Sequence, residues 1–123
     1  MNFSKSKAIY TQISEHLCDE ILKKMWIEEE KIPSIREMAV SLEVNPNTVV
    51  RSYAMLEQDG IIEMRRGIGY FVASQARSKV LNIKKEAFLN DELPNLFKAM
   101  DLLKIDIQEL ITLYQGRKQH ENK

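Results

Sequence analysis

Apolar residues recur at four-residue steps from Ile9 through Ile13, Leu17 and Ile21 to Met25, with Glu15, Asp19 and Lys23 off the stripe. That spacing predicts an amphipathic helix over 9–25, its apolar face widened by Tyr10 and Leu22. A connector from Trp26 to Ile32 follows, with three consecutive glutamates that mark it as a solvated loop. Trp26 reads as a packing anchor within it. Ser34 with Glu37 three residues on is a capping box, so a helix is expected from Ile35 to about Leu42. Asn45-Pro46 is the next start signal, an N-cap followed by proline at the first helical position. That helix runs to Gly60, a natural left-handed cap, and only Glu43 and Val44 separate it from its predecessor.

The period then changes. Ile61–Met64 and Tyr70–Ala73 read as short strands around Arg65-Arg66-Gly67-Ile68-Gly69, a hairpin with a basic tip. Two helices, a tight turn and a hairpin in that order describe a winged helix-turn-helix. Gly67-Ile68-Gly69 lacks the third glycine and following helix of a dinucleotide loop, and that reading is rejected. Residues 76–103 are helical in pattern, polar first and then apolar at Phe88, Leu89, Leu93, Leu96, Phe97, Met100 and Leu103. Asn90-Asp91 and Pro94 predict a break or kink near 90–93, with Pro94 near a new N-terminus. Asp106 and Glu109 form another capping pair. Ile107, Leu110, Ile111 and Tyr114 make the last stripe, which Gly116 is expected to end, leaving a frayed tail from Arg117 to Lys123. The fold class is therefore mainly α with a small β wing: a winged helix-turn-helix over 1–74 and a C-terminal helical segment over 75–123.

The third helix carries the chemistry. At about 100° per residue, Val49, Ser52, Tyr53 and Leu56 share one side, and Asn47, Val50, Arg51 and Ala54 the other. The first set packs on the other helices. The second suits a major groove, where arginine pairs bidentately with guanine, asparagine with adenine, and a small apolar group meets the thymine methyl. Val50 is either such a methyl contact or simply exposed. Thr48 serves the backbone or a phosphate at the helix start. Ser34 and Arg36 are placed to grip another phosphate, unless Arg36 pairs with Glu37 or Glu63. Arg65 and Arg66 suit the minor groove or its flanking phosphates, or merely keep an exposed turn soluble.

Charge does not point the same way. The chain of 123 residues has 18 basic and 18 acidic residues, and residues 1–75 hold nine Lys/Arg against eleven Asp/Glu. A basic footprint must be local, from Arg36, Arg51, Arg65 and Arg66 converging while acids face away. The single cysteine, Cys18, excludes an intramolecular disulfide and reads as a small buried hydrophobe. With His16 and His120 beside it there is no metal-ligand spacing, and no cofactor is expected. No apolar run approaches a membrane span and no signal-peptide core opens the chain, so no membrane partner and a cytoplasmic location are expected. An enzyme is excluded for want of any nucleophile–base grouping, metal cluster or phosphate loop.

Ile32-Pro33-Ser34-Ile35-Arg36-Glu37-Met38-Ala39, Val44-Asn45-Pro46-Asn47-Thr48-Val49, Leu56-Glu57-Gln58-Asp59-Gly60-Ile61-Ile62 and Arg66-Gly67-Ile68-Gly69-Tyr70-Phe71-Val72 together resemble the GntR family of bacterial transcription regulators. The resemblance covers roughly residues 8–73. The Asn-Pro-Asn-Thr-Val variant with a short helical tail resembles the YtrA-like subgroup. It implies a homodimer built through the C-terminal helices and repression at an inverted-repeat operator, with transporter genes among frequent targets. It implies DNA contacts at Ser34, Arg36, Asn45, Pro46, Asn47, Thr48 and the wing at Arg66-Gly67. Three departures stand out. Lys24 and Glu29 occupy connector positions where glycine is usual, so that turn differs or is strained. Val50 replaces a basic residue many members carry there, with Arg51 next. Lys104 stands where a glycine is common before the last helix. Fewer than fifty residues follow the wing, too few to wall a pocket of about 300 Å³ or more. The apolar faces at Phe88, Leu89, Leu93, Leu96, Phe97, Met100, Leu103, Ile107, Leu110, Ile111 and Tyr114 are expected to meet a second copy. An effector, if one exists, would bind at that interface or between domains. The competing reading is a winged helix for protein or RNA interaction without operator binding, motivated by the acidic balance.

Overall fold

The computed structural model describes residues 1–121. Its elements are α1 (Ile9–Leu22), α2 (Ile35–Leu42), α3 (Pro46–Gln58), β1 (Ile62–Arg65), β2 (Gly69–Val72), α4 (Ala76–Ala87), a π-helical turn over Phe88–Glu92, α5 (Leu93–Leu103) and α6 (Ile107–Glu121). They form two compact units, Met1–Ile83 and Lys84–Lys123.

In the first unit the inner faces of α1 and α3 meet. Ile13, Leu17 and Ile21 pack with Val49, Tyr53 and Leu56, and Met38, Ala39, Ile61, Ile62 and Val72 close the core. Each such aliphatic or aromatic side chain contributes about 1.5–3 kcal/mol by leaving water. The stripe of α1 stops one step early, however. The helix ends at Leu22, Lys24 turns left-handed at φ 63°, and Met25 is 63% exposed. Trp26 does anchor the connector, packing on the core while its indole N–H donates to Glu20 at 3.0 Å.

β1 and β2 pair antiparallel, with Ile62 opposite Val72 and Arg65 opposite Gly69, one residue on from the expected start of β1 and one before that of β2. The connector is less of a loop than its glutamates suggested. The Glu29 N–H bonds to the Val72 carbonyl, the Val72 N–H to Glu30, and the Ile32 N–H to Tyr70, so its backbone lies along β2 as a third edge. Ala76 and Val80, both fully buried, bring the first turns of α4 into the same core.

In the second unit Pro94 widens the helix without breaking it. A proline inside an α-helix lacks a donor and crowds the carbonyl four residues back. Here the ladder steps out to five, with the Leu93 N–H on the Phe88 carbonyl, and Ala87, Glu92 and Leu93 all stay right-handed. Asp106 caps α6 through the Glu109 N–H at 2.8 Å. Gly116 does not end that helix. It has no positive φ, and α6 continues to Glu121, so the expected tail is helical that far and only residues 122–123 lie outside the described residues. A mid-helix glycine costs about 1 kcal/mol against alanine, too little to stop a helix already growing.

Candidate nucleic-acid interface

The inner face of α3 is sealed. Val49, Ser52 and Tyr53 have no exposure and Leu56 has 2%. The Tyr53 hydroxyl donates to the Pro33 carbonyl at 2.7 Å, and its ring meets Tyr70 edge-on at 4.9 Å. Burial, the facing Tyr70 and the charge of Glu37 push the Tyr53 phenol far above its ordinary range. One side chain of α3 thus fixes both the start of α2 and the wing strand. On the opposite face Asn47, Val50, Arg51 and Ala54 are exposed. The division of faces drawn from helical periodicity holds residue for residue.

Helix starts flank that face. Asn45 caps α3, its side-chain oxygen accepting from the Asn47 N–H at 2.8 Å, with Pro46 in the first turn and the Thr48 N–H on the Asn45 carbonyl at 2.9 Å. Both the Asn47 and Thr48 side chains are without a hydrogen bond among the described residues. At α2 the capping box is complete: the Glu37 N–H donates to Ser34 Oγ at 3.1 Å and the Ser34 N–H to the Glu37 carboxylate at 3.0 Å. The Ser34 N–H first, and the Ser34 hydroxyl after it, hold the Glu37 carboxyl below its usual pKa. Glu37 is therefore committed to Ser34, and Glu63 to Arg65. Arg36, exposed, has no ion pair among the described residues, which removes the two carboxylate partners weighed for it.

The two wing arginines differ. Arg65 stacks its guanidinium 4.1 Å from the Phe71 ring centre and bonds the Glu63 and Glu29 carboxylates. Glu29 reaches it from the connector, where its backbone holds φ 70°. Arg66 is exposed and has no partner among the described residues. The Ile68 N–H closes on the Arg65 carbonyl at 2.9 Å with Gly67 at φ 79°, the third-position geometry of a type II turn, which favours glycine. A β-carbon on Gly67 would meet nothing within 4 Å, so the tip is open to whatever approaches it.

Tyr10, expected to widen the apolar face of α1, lies at the edge of this surface. The Arg51 guanidinium lies 4.1 Å over the Tyr10 ring, beside an open cleft of about 400 Å³ lined by Ala8, Ile9, Asn45, Asn47 and Thr48 as well. A contact across forty-one residues leaves no trace in periodicity. The Lys24, Glu29 and Lys104 positions are a different case: all three are left-handed, at φ 63°, 70° and 57°, as glycine-preferring positions should be.

In the second unit Phe88, Leu89, Leu96, Phe97, Leu103, Ile107, Ile111 and Tyr114 are exposed, while Leu93 and Leu110 are half-buried. Met100 is buried, at 8% exposure. Leu102 and Leu113, which the periodicity left out, are exposed at 82% and 64%. No helix among the described residues is long and apolar enough to cross a membrane, and no group of three metal-binding side chains occurs among them.

Comparison with known proteins agrees with this geometry. Residues 9–72 match the family described as bacterial regulatory proteins, gntR family. The chain is 36% identical over 109 residues to the uncharacterized HTH-type transcriptional regulator YhcF of Bacillus subtilis (strain 168), covering 89% of this chain and 88% of that one. It is 31% identical over 105 residues to the HTH-type transcriptional repressor YtrA of the same organism, covering 85% and 80%. A crystal structure of a GntR-family transcriptional regulator from Bacteroides thetaiotaomicron superposes with a TM-score of 0.81 at 42% identity, over 93% of this chain and 99% of that one. The sealed and open faces of α3, the capped helix starts and the glycine-tipped wing are those of a DNA-binding transcription regulator, and the chain belongs to the GntR family.

Proposed function

We propose that the chain acts as a homodimeric repressor at an inverted-repeat operator. The observation that carries this reading is the outer face of α3, where Asn47, Val50 and Arg51 are exposed and no carboxylate engages Arg51 among the described residues. Asn47 and Arg51 reach base edges and Val50 a thymine methyl, while Ser34, Arg36, Asn45 and Thr48 hold the backbone on either side. Pro46 fixes the first turn of α3. Arg66 and Gly67 enter or flank the minor groove, and Arg65 serves as an internal strut.

A second copy is the partner that suits the apolar side chains of unit Lys84–Lys123. They line an open cleft of about 700 Å³ at Leu96, Leu110, Ile111, Leu113 and Tyr114. Patches of that kind are rare on monomers. Paired wings then read two half-sites about one helical turn, or a multiple of it, apart. The sign of regulation follows the repressor YtrA, to which the chain is similar.

Footprinting of the DNA upstream of the chain's own gene, neighbouring transporter operons included, tests this at about 50 mM salt. A protected inverted repeat, with a dimer in sedimentation, is expected. Equal affinity for random-sequence duplex, or a monomer at micromolar concentration, overturns it.

A further inference from the structure

Two arginines in the first unit stack on aromatic rings at the same 4.1 Å, yet their N–H edges have different fates. Arg65 spends its edge on Glu63 and Glu29. Arg51 has no carboxylate within ion-pair distance among the described residues. A guanidinium stacked by its face keeps all its donors in the plane of the fork, free for a bidentate acceptor.

The platform under Arg51 is itself fixed. Tyr10 lies in the first turn of α1, and its carbonyl accepts from the Ser52 hydroxyl, with Ser14 Oγ 3.0 Å from the same carbonyl and 3.0 Å from Ser52 Oγ. Ser14 and Ser52 are 5% and 0% exposed, so these bonds form a small buried polar knot. Ser52 is the residue after Arg51. Successive residues of α3 therefore grip one residue of α1, Ser52 by its backbone and Arg51 by its ring.

We propose that Tyr10 is a positioning residue for sequence recognition. Its ring holds the Arg51 guanidinium in one orientation, edge outward, and so sets the preference for guanine at the base pair Arg51 reads. The inference rests on the operator-binding reading above. A free arginine side chain loses rotamer entropy on reaching a base, and a stacked one has already lost it. An exposed stack of this kind changes affinity about two- to fivefold, hence about five- to twenty-fold at a repeat read by two copies.

The experiment selects duplexes from a random-sequence pool with the wild-type chain, then measures affinity for the best of them with Tyr10→Leu, Tyr10→Phe, Arg51→Ala and the Tyr10→Leu/Arg51→Ala double variant. Tyr10→Leu should weaken binding about five- to twenty-fold, relax the preference at a single G·C position per half-site, and leave non-specific binding unchanged. Tyr10→Phe, which keeps the ring, should restore the preference, and Tyr10→Leu should have no further effect once Arg51 is alanine. Additive losses in the double variant, or an unchanged preference with Tyr10→Leu, overturn the inference. If Tyr10→Leu lowers the melting temperature, Tyr10→Met runs the same cycle at this half-exposed position. Failure of the wild-type chain to select any duplex defeats the operator reading instead, so the two outcomes are separable.

Discussion

Replacing Tyr53 by phenylalanine removes one oxygen atom and opens no cavity. The ring stays fully buried and keeps its edge-on contact with Tyr70, so the apolar contribution is unchanged. What is lost is the 2.7 Å bond to the half-buried Pro33 carbonyl. A net hydrogen bond is worth about 0.5–1.5 kcal/mol and an acceptor left unpaired in the interior costs about 1–3, which brackets the expected loss at about 1–2 kcal/mol. For a unit of this size that lowers the melting temperature by about 5–12 °C. Urea denaturation gives the direct reading, as a lower midpoint with unchanged slope. Alkaline pH supplies an independent check. The folded-state pKa of Tyr53 is raised, so its contribution is complete below the ordinary tyrosine value and fades as pH climbs from there toward the folded value. Phenylalanine has no such loss. The gap between wild type and variant should therefore narrow above about pH 10, by about 1.4 kcal/mol per unit. A midpoint shift worth less than about 0.3 kcal/mol, or a gap that stays constant with pH, would refute the view that this hydroxyl ties α3 to the start of α2.

Lys24→Gly and Lys104→Gly should each stabilise by about 0.5–1 kcal/mol, since the left-handed backbone costs an L-residue about 1–2 kcal/mol and glycine returns part of that as chain entropy; a lower urea midpoint for either would count against it. Arg66→Ala should leave the melting temperature unchanged and reduce the slope of log affinity against log salt by about 2 for a dimer, whereas Arg65→Ala should lower the melting temperature because Glu29 and Glu63 lose their partner; interchanged effects would reverse the roles assigned to the two residues. The Glu37 carboxyl is held below its ordinary pKa, so the α2 cap is intact above that value and fails as pH drops through the lowered one. Thermal melts between pH 7 and 3 should show a flatter acid limb for Glu37→Gln, and parallel limbs would rule out the cap as the cause.

Much of this was readable from local chemistry. Ser34 and Glu37, Asn45 and Pro46, and Asp106 with Glu109 each act within one helical turn, and each cap forms as spaced. Helical periodicity likewise separated Val49, Ser52, Tyr53 and Leu56 from Asn47, Val50 and Arg51. The misreadings have two sources, a local backbone turn in one case and distant parts of the chain in the others. Met25 continues a four-residue stripe, but the left-handed turn at Lys24 takes it off the helix. Three glutamates look like a solvated loop because side chains say nothing of a backbone bonded to Tyr70 and Val72. Glu29, one partner of Arg65, and Tyr10, the ring under Arg51, are thirty-six and forty-one residues away, beyond any short-range pattern. Pro94 correctly signals both the irregularity and the new helix start, since the π-helical turn at Phe88–Glu92 gives way to α5 at Leu93 with Pro94 in its first turn.

The wing has a riveted stem and an unattached tip. Glu29, Phe71 and Glu63 immobilise Arg65 at the last rung, while beyond it the side chains of Arg66 and Ile68 make no bond or ion pair among the described residues. Folding and reading are thereby assigned to adjacent residues. Mutation can explore new tip chemistries at Arg66 and Ile68 with little penalty to the architecture, provided a residue tolerant of positive φ stays at 67. Divergence in target preference among related chains can accumulate there first.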